Sequence, residues 1–278
     1  MSPAEHRTRR DGVELVWWEW PGGEPPALLM HGIANYGRYW DLFAREIGGR
    51  QRLIAPDARG HGDSGKPPSG YEPEEFVADA LAVLDAAGVD RPVVVAHSMG
   101  GTHAMLLAAR HPERVRALVL VDVGPENMRE GSERARRLTQ ERPASFADRG
   151  QALSYLRRTS PGYSDEVYAN RLDHAFREES GRLVWRSSPD ALAQIRAARS
   201  GAAARWQALR DMTCPLVVVR GTRSKVLSAE TAQRMTALRP GIRLIELEAG
   251  HNVALDRPRE LAEIVVTTGM GGAPGSRP

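Results

Sequence analysis

The chain has 278 residues, 41% of them hydrophobic, and carries a formal net charge of +3; this length suits one large domain or one domain with an insertion. The charge is weak for a nucleic-acid-binding protein, which needs its basic residues gathered in one place. The single cysteine, Cys214, excludes an intramolecular disulfide and a zinc site built on cysteines.

Strand-like and helix-like patterns alternate along the first 125 residues. Runs of apolar and β-branched residues predict strands, and amphipathic spacing that ends at glycine predicts helices. A glycine- and proline-rich loop, ARGHGDSGKPPSG, follows the third of these strands. The predicted strands cover 13–20, 26–32, 52–57, 92–97 and 115–123, and the predicted helices cover 38–48, 74–88 and the residues after 98.

The next segment, residues 126–210, differs in character from the rest of the chain and is called the insertion below. It contains 16 arginines and 11 acidic residues, favours helices and has no strand-like apolar run. The glycine-rich end of the chain predicts a disordered tail at 269–278. Between the insertion and the tail, strands are predicted at 215–221 and 242–251, and helices at 230–239 and 259–266.

The alternation of buried strands and helices predicts an α/β fold with a mostly parallel central sheet flanked by helices on both faces. Residues 1–125 and 211–268 are predicted to form the core domain, into which the insertion is placed. The N-terminal residues lack the apolar core of a secretory signal, and no stretch approaches the ~20 apolar residues of a membrane span. We therefore expect a cytoplasmic protein without a membrane span or a nucleic-acid partner. The sequence does not predict its oligomeric state.

The stretch VVVAHSMGG, residues 93–101, places Ser98 between a buried strand and a helix. It resembles the nucleophile elbow G-x-S-x-G of the α/β-hydrolase fold, with Ala96 in place of the first glycine. Small residues are needed on both sides of the serine because strand and helix pass close together there. The pattern is weak by itself, and the alternative is a serine that merely occupies a turn.

Three further motifs strengthen the resemblance, which covers roughly residues 10–268. LLMHGIANYGRYW is similar to the family's His-Gly motif, DARGHGDSGKP to a loop that braces the site, and LEAGHNVALDRPRELAEIV to the family's C-terminal motif. The resemblance implies a nucleophile at Ser98, a general base at His251, and an oxyanion hole formed by the backbone amides of Ile33 and Met99. The alternative for His251 is a solvent-facing loop histidine.

The acid of the triad departs from the family's pattern. Relatives commonly place it after the strand that here reads PLVVVRG, where this chain has Ser224 and Lys225. A lysine cannot orient an imidazolium, because its charge opposes the one that forms on His251. Some relatives take the acid from the end of the preceding sheet strand, where this chain has Asp122. We predict that its carboxylate lies within ~3.2 Å of His251 Nδ1; the alternative is that it bonds backbone amides in a loop.

The other histidines are not predicted to take part in catalysis. His97, beside the serine, is interpreted as a packing or hydrogen-bonding residue, and His31 and His61 as structural residues of their loops. His103, His111 and His174 complete the candidates, and none has metal-ligand spacing with another histidine. We therefore predict no metal and no cofactor.

A serine at the elbow implies acyl transfer to water through an acyl-enzyme. The predicted substrate is a carboxylic ester, lactone or thioester of a small molecule. Relatives with the same triad that cleave carbon–carbon bonds, or that perform cofactor-free perhydrolysis, provide one alternative. A non-catalytic ligand-binding protein of the same fold is the second.

The resemblance also implies that the insertion forms a helical cap over the serine and selects the substrate. Its aromatic residues are interpreted mainly as the core of the cap. Its arginines are interpreted as a solvated surface, with the attraction of anionic acyl substrates as the alternative. The aromatic residues are Tyr155, Tyr163, Tyr168, Phe176, Trp185 and Trp206.

Overall fold

The computed structural model describes residues 2–271, within which eleven strands and eleven α-helices follow one another. The strands are β1 (Ala4–Arg10), β2 (Val13–Trp20), β3 (Ala27–Met30), β4 (Leu53–Pro56), β5 (Val93–His97), β6 (Ala117–Val121), β7 (Ser145–Phe146), β8 (Phe176–Glu179), β9 (Arg182–Trp185), β10 (Leu216–Gly221) and β11 (Arg243–Leu247). The helices are α1 (Asp41–Ile47), α2 (Pro73–Ala86), α3 (Met99–Arg110), α4 (Arg129–Gln140), α5 (Arg149–Thr159), α6 (Asp165–His174), α7 (Pro189–Ala197), α8 (Ala202–Asp211), α9 (Ala229–Leu238), α10 (Val253–Asp256) and α11 (Pro258–Gly269).

Eight strands form one sheet in the order β1-β2-β4-β3-β5-β6-β10-β11. β2 pairs antiparallel with both β1 and β4, and every neighbouring pair from β4 to β11 is parallel. The central strands β5 and β6 are buried along their whole length, because helices cover both faces of the sheet. The predicted α/β fold with a mostly parallel sheet is confirmed.

Each face of the sheet packs against its own set of helices. On one face α1 and α11 contribute Phe43 and Leu261 to a buried cluster. On the other face α2 and α3 contribute Leu84 and Met105 to a second cluster. Burying one such side chain stabilises a fold by ~1.5–3 kcal/mol, so the sheet and its helices form a firm support. The loops at the carboxyl ends of the parallel strands are left at one edge, where α/β sheets bind ligands.

The sequence prediction missed β1, whose residues AEHRTRR are mostly exposed and lack an apolar period. β1 pairs with β2 across a turn at Asp11 and Gly12, where φ is 48° and 79°. Positive φ at both central residues is typical of a type I′ hairpin, for which Asp-Gly is a strong sequence signal. The Asp-Gly turn therefore indicates the hairpin, whereas the residues of β1 do not indicate a strand.

The insertion is mainly helical, and it also contains three short strands that the sequence analysis did not predict. β7, β9 and β8 form a small antiparallel sheet in that order. Ser180 and Gly181 connect β8 to β9 with φ of 50° and 71°, which again is type I′ geometry. The strands are only two to four residues long, so the longest apolar stretch among them, Leu183–Trp185, is too short to indicate a strand by itself.

The predicted division of the chain at residue 210 stays a prediction, and the packing of α8 favours an earlier boundary. Trp206 and Leu209 of α8 lie in the same buried cluster as Met105 of α3. The insertion therefore returns to the core before α8 begins. At the other end, α11 extends to Gly269, the first residue of the predicted tail; residues 272–278 lie outside the described residues. Across residues 2–271 we find no helix with the length and apolar character needed to span a bilayer.

Candidate active site

Ser98 lies at the sharp turn between β5 and α3. Its φ of 52° and ψ of −115° are unusual for a residue other than glycine. Such a conformation costs of order 1–3 kcal/mol and persists only where the surrounding structure enforces it. Here the enforcing structure is a fully buried strand that continues directly into a helix. The turn exposes Ser98 at the carboxyl edge of the sheet.

Glycines next to Ser98 permit a close approach of backbone segments. A Cβ on Gly100 would lie 2.5 Å from the Met30 carbonyl oxygen, and one on Gly101 would lie 2.3 Å from a methyl carbon of Val123. Real Cβ atoms do not approach so closely, so α3 can pack against the ends of β3 and β6 only because these positions lack side chains. Ala96 at the first small position is fully buried, which shows that one methyl group fits there.

Two backbone amides next to Ser98 have no hydrogen-bond acceptor among residues 2–271. They are the N–H groups of Ile33 and Met99; the neighbouring Gly100 N–H, by contrast, donates to the His31 carbonyl at 3.1 Å. The loop that carries Ile33 lies against the serine, because a Cβ on Gly32 would be 3.2 Å from the Ser98 Cβ. The arrangement therefore offers two free donors beside the hydroxyl, as an oxyanion hole requires.

The side chains of His251 and Asp122 are joined by a hydrogen bond of 2.7 Å between His251 Nδ1 and Asp122 Oδ2. This distance lies within the ~3.2 Å that the sequence analysis expected. Asp122 follows β6 and is fully buried, whereas the His251 side chain is 28% exposed. Asp122 also adopts a positive φ of 50°, which aspartate tolerates better than most residues. The buried carboxylate can therefore fix the ring while its other nitrogen remains accessible.

Two further donors satisfy the buried Asp122 carboxylate. The Gly221 N–H donates to Oδ1 at 3.0 Å, and the Ser224 hydroxyl donates to Oδ2, the oxygen that also binds His251. Ser224 Oγ in turn accepts the Val226 N–H at 3.0 Å. Sequence reasoning noted Ser224 only as the residue at the usual position of the acid. The structure places it in contact with the acid that the preceding strand supplies.

We expect Ser224→Ala to lower kcat about 10-fold with little change in KM, because Asp122 loses a donor that holds it against His251. Steady-state kinetics with thermal unfolding measures the effect. Thr222→Ala, a change at a nearby exposed residue, serves as the control and should leave kcat unchanged. An equal loss in both variants, or a rise in KM alone, would contradict a positioning role for Ser224.

The buried histidines near the site are held neutral by burial. Burial lowers the pKa of His31 to about 4, and its Nε2 accepts the Ala58 N–H at 3.0 Å. Burial, together with the nearby His251, also lowers the pKa of His97 well below its ordinary value. His97 Nε2 lies 3.0 Å from the His251 carbonyl oxygen, so the neutral ring donates there and supports the backbone of the candidate base. Burial lowers the pKa of His61 as well.

The glycine-rich loop after β4 braces the edge of the sheet through buried ion pairs. Arg59, whose side chain is 3% exposed, donates to both carboxylate oxygens of Asp79 at 2.6 and 2.7 Å. Asp57 accepts the backbone N–H groups of Gly37 and Asp63 at 2.5 and 2.8 Å. These contacts tie the loop to α2 and to the loop after β3. They hold the Ile33 segment in place without touching the serine.

A cavity of about 530 Å³ opens at this edge between the core and the insertion. Ser98, Met99, Ile33 and His251 all line it, while Asp122 is buried behind His251. Among residues 2–271 no hydrogen bond links the Ser98 hydroxyl to His251; such bonds often tighten only when substrate binds. Of the six aromatic residues noted in the insertion, Tyr163 alone lines the cavity. Five residues named from the sequence thus come together at one place.

Comparison of the sequence with protein-family profiles agrees with the fold and with the arrangement of the candidate site. Residues 27–264 match the profile of the alpha/beta hydrolase family. The chain belongs to this family. The match covers every strand from β3 to β11 and all five residues of the candidate site. The part of the hydrolase that identifies the family is therefore the part that forms the candidate site.

Curated relatives and solved structures show the same family resemblance along most of the chain. The 2-(acetamidomethylene)succinate hydrolase of Mesorhizobium japonicum is 28% identical over 81% of this chain and 80% of its own length. An esterase of Mycobacterium tuberculosis is 30% identical over 95% of this chain and 88% of its own. The crystal structure of E-2-(acetamidomethylene)succinate hydrolase superimposes with a TM-score of 0.88, at 27% identity, and covers 97% of this chain and 100% of that one.

No group of three or more histidine, cysteine, aspartate or glutamate side chains in residues 2–271 is arranged to hold a metal ion. The acids and histidines at the site are instead engaged with one another and with backbone groups. Cys214 is buried, and burial raises the pKa of its thiol. Ser98 lines the cavity, whereas the thiol of Cys214 does not.

Proposed function

We propose that this hydrolase cleaves an ester-type acyl bond of a small molecule, a carboxylic ester, lactone or thioester, through Ser98, His251 and Asp122. The observation that carries the proposal is the 2.7 Å hydrogen bond from His251 Nδ1 to the buried Asp122 carboxylate, in a cavity that Ser98 also lines. A serine hydroxyl is a poor nucleophile until a base removes its proton. An oriented, neutral imidazole supplies that base.

The reaction begins with attack of Ser98 Oγ on the acyl carbon while His251 Nε2 takes the hydroxyl proton. The carbonyl oxygen becomes an oxyanion within reach of the Ile33 and Met99 N–H groups, each worth about 2.7–4 kcal/mol in comparable sites. Collapse of the intermediate breaks the bond to the leaving group, which receives the proton from His251. Water then attacks the acyl-enzyme with the same base, and the acid product leaves with Ser98 restored.

Asp122 accepts a hydrogen bond from the Nδ1–H group of His251 throughout, and it stabilises the imidazolium without itself becoming protonated. Its burial makes this interaction strong, because no water competes for the carboxylate oxygens. We also propose that the insertion acts as a cap, since α4, α7 and Tyr163 contribute to the wall of the cavity opposite α3. The protein is proposed to work on a small molecule in the cytoplasm.

The names of the relatives support hydrolysis but differ in substrate. One is an esterase and another a lipase, both of Mycobacterium tuberculosis, and these names favour ester cleavage. The 2-(acetamidomethylene)succinate hydrolase is named for a dicarboxylate that carries an acetamido group. Cleavage of a bond other than an ester, including a carbon–carbon bond, is therefore the second candidate reaction.

The test is a panel of 4-nitrophenyl esters, thioesters, lactones and diketones, followed by stopped-flow and steady-state kinetics. Ester-type hydrolysis through an acyl-enzyme predicts a burst of 4-nitrophenol equal to the enzyme concentration. Turnover of diketones without any ester turnover would assign carbon–carbon cleavage instead. A requirement for peroxide would assign perhydrolysis. The absence of turnover together with tight ligand binding would assign a non-catalytic binding protein.

A further inference from the structure

The wall of the cavity carries an unusual concentration of positive charge. Six cationic side chains line it, and Glu130 is the one carboxylate on the same surface within residues 2–271. Glu130 lies 3.6 Å from Lys225, so this pair partly cancels. The five remaining cations are Arg134, Arg136, Arg196, Arg199 and Arg223.

None of these five arginines forms an ion pair with a carboxylate among residues 2–271. Some arginines elsewhere in the insertion do form such ion pairs. Arg149 pairs with Asp173 at 2.6 Å, and Arg157 pairs with Asp165 at 2.6 Å. The five cavity arginines therefore lack a counter-ion on the described protein, and four of them are exposed to solvent, Arg196 being half-buried. Their exposure is consistent with the solvated surface that the sequence analysis expected, and their position on the cavity wall favours the alternative, the attraction of an anion.

Two of the cavity arginines, Arg136 and Arg196, lie close enough for their like charges to repel. Burial, with the nearby Arg136, lowers the pKa of Arg196. Arg196 Nη1 donates to Thr139 Oγ1 at 2.6 Å, a contact that holds α7 against α4 and keeps the two guanidinium groups near each other. Holding two guanidinium groups this close costs free energy unless a bound anion offsets their repulsion.

Arg199 is the least constrained member of the cluster. Its side chain is exposed to the solvent of the cavity, and partial desolvation by the surrounding protein lowers the pKa of its guanidinium. Its charge contributes, after burial and His31, to the low pKa of His103 on α3. It therefore lies above the helix that begins at Ser98, and it makes no described hydrogen bond with residues 2–271.

We propose that the substrate carries a carboxylate separate from the bond that is cleaved, and that Arg196 and Arg199, assisted by Arg134 and Arg136, bind it. This inference rests on the proposed function, because it describes the substrate of the same cavity. Guanidinium groups match carboxylates with paired N–H donors. The cavity of about 530 Å³ suits a small molecule. The anion stabilises the arginine cluster and positions the acyl carbon at Ser98.

The test uses small dicarboxylates as ligands and the labelling of Ser98 by a fluorophosphonate as the readout. Succinate, glutarate and adipate are compared with the neutral diamides of the same lengths. We expect the dicarboxylates to slow labelling and the diamides to have no effect. Arg196→Gln and Arg199→Gln should each weaken this protection about 10- to 100-fold, measured for each variant relative to its own rate of labelling without ligand. Raising the ionic strength should weaken protection as well.

Arg137→Gln is the matched control, because Arg137 lies on α4 beside Arg136 but does not line the cavity, and this variant should leave protection intact. Equal protection by diamides, or unchanged protection in both arginine variants, would overturn the proposal. Stronger protection by inorganic phosphate or methyl phosphate than by any dicarboxylate would overturn it in favour of a phosphate-bearing substrate.

Calorimetric titration of the wild-type protein with the same dicarboxylates measures binding without any chemistry at the serine. Binding without labelling would contradict the proposed function and support the anion site. Labelling without dicarboxylate binding would contradict the anion site and support the proposed function. The two proposals can therefore fail separately.

Discussion

Replacement of Ser98 by alanine is expected to lower kcat by about 10⁶-fold and to abolish covalent labelling by a fluorophosphonate. The reason is that the serine hydroxyl forms the acyl-enzyme, and no neighbouring group can take its place. The fold should persist, because the Ser98 side chain makes no capping hydrogen bond with α3. Steady-state kinetics measures kcat, mass spectrometry measures the covalent labelling, and thermal unfolding measures whether the fold persists.

Ser160→Ala is the matched control for this experiment, since Ser160 is another serine that lines the cavity. It should label at the wild-type rate and retain kcat. Normal labelling of Ser98→Ala would contradict the assignment of the nucleophile. Loss of labelling in both variants would indicate damage to the cavity rather than loss of a reacting group.

Replacement of Asp122 by asparagine is expected to lower turnover by up to about 10⁴-fold. The carboxylate accepts a hydrogen bond from the Nδ1–H group of His251, with 2.7 Å between Nδ1 and Oδ2. An amide can instead donate a hydrogen bond to Nδ1, which favours the tautomer of His251 that carries its proton on Nε2. A protonated Nε2 cannot accept the proton of the serine hydroxyl. Asparagine tolerates the φ of 50° found at this position, so the fold should be preserved.

Asp256→Asn provides the comparison, because Asp256 is a second aspartate in contact with the loop that carries His251. Its Oδ2 accepts the Gly250 N–H at 2.7 Å, so it supports the backbone rather than the ring. We expect a loss of less than about 10-fold, the scale of one hydrogen bond. Kinetics and circular dichroism of both variants measure the difference. Near-full activity of Asp122→Asn would place the acid elsewhere or indicate a Ser-His dyad.

The sequence by itself determined the fold class, because the signals that specify it are local. β5, β6 and β10 are continuous runs of buried apolar residues, and each is followed by a helical period or a turn. Such runs belong to parallel strands covered on both faces. The elbow around Ser98 was also readable, since its strand, small residues and helix are adjacent in the chain.

Two hairpins were missed although their turns carried a signal. β1 and β8 are mostly polar, and β9 has only four residues, so hydrophobic periodicity does not indicate these strands. The dipeptides at Asp11 and Ser180, each followed by glycine, adopt the positive φ values of type I′ turns. The residues of the two turns, rather than the apolar pattern of the strands, therefore indicate both hairpins.

Only the tertiary structure decided how the candidate acid is held. The sequence offered Asp122 as an alternative to the position of Ser224, and nothing local could choose, because the contact with His251 spans 129 residues. The folded chain shows that the two positions form one hydrogen-bonded unit, in which Ser224 donates to the Asp122 carboxylate. Neighbouring parallel strands bring these residues together at the same edge of the sheet.

The charge of the cavity likewise depends on the fold. The sequence showed an excess of arginine in the insertion, but not which of these arginines line the cavity. That distinction follows from how α4 and α7 pack over the carboxyl edge of the sheet, with Arg196 bound to Thr139. Local patterns specify helices and strands because hydrogen bonding and burial repeat along the chain. Ion pairing and the lining of a cavity depend on residues that are distant in sequence, so they are determined only when the chain has folded.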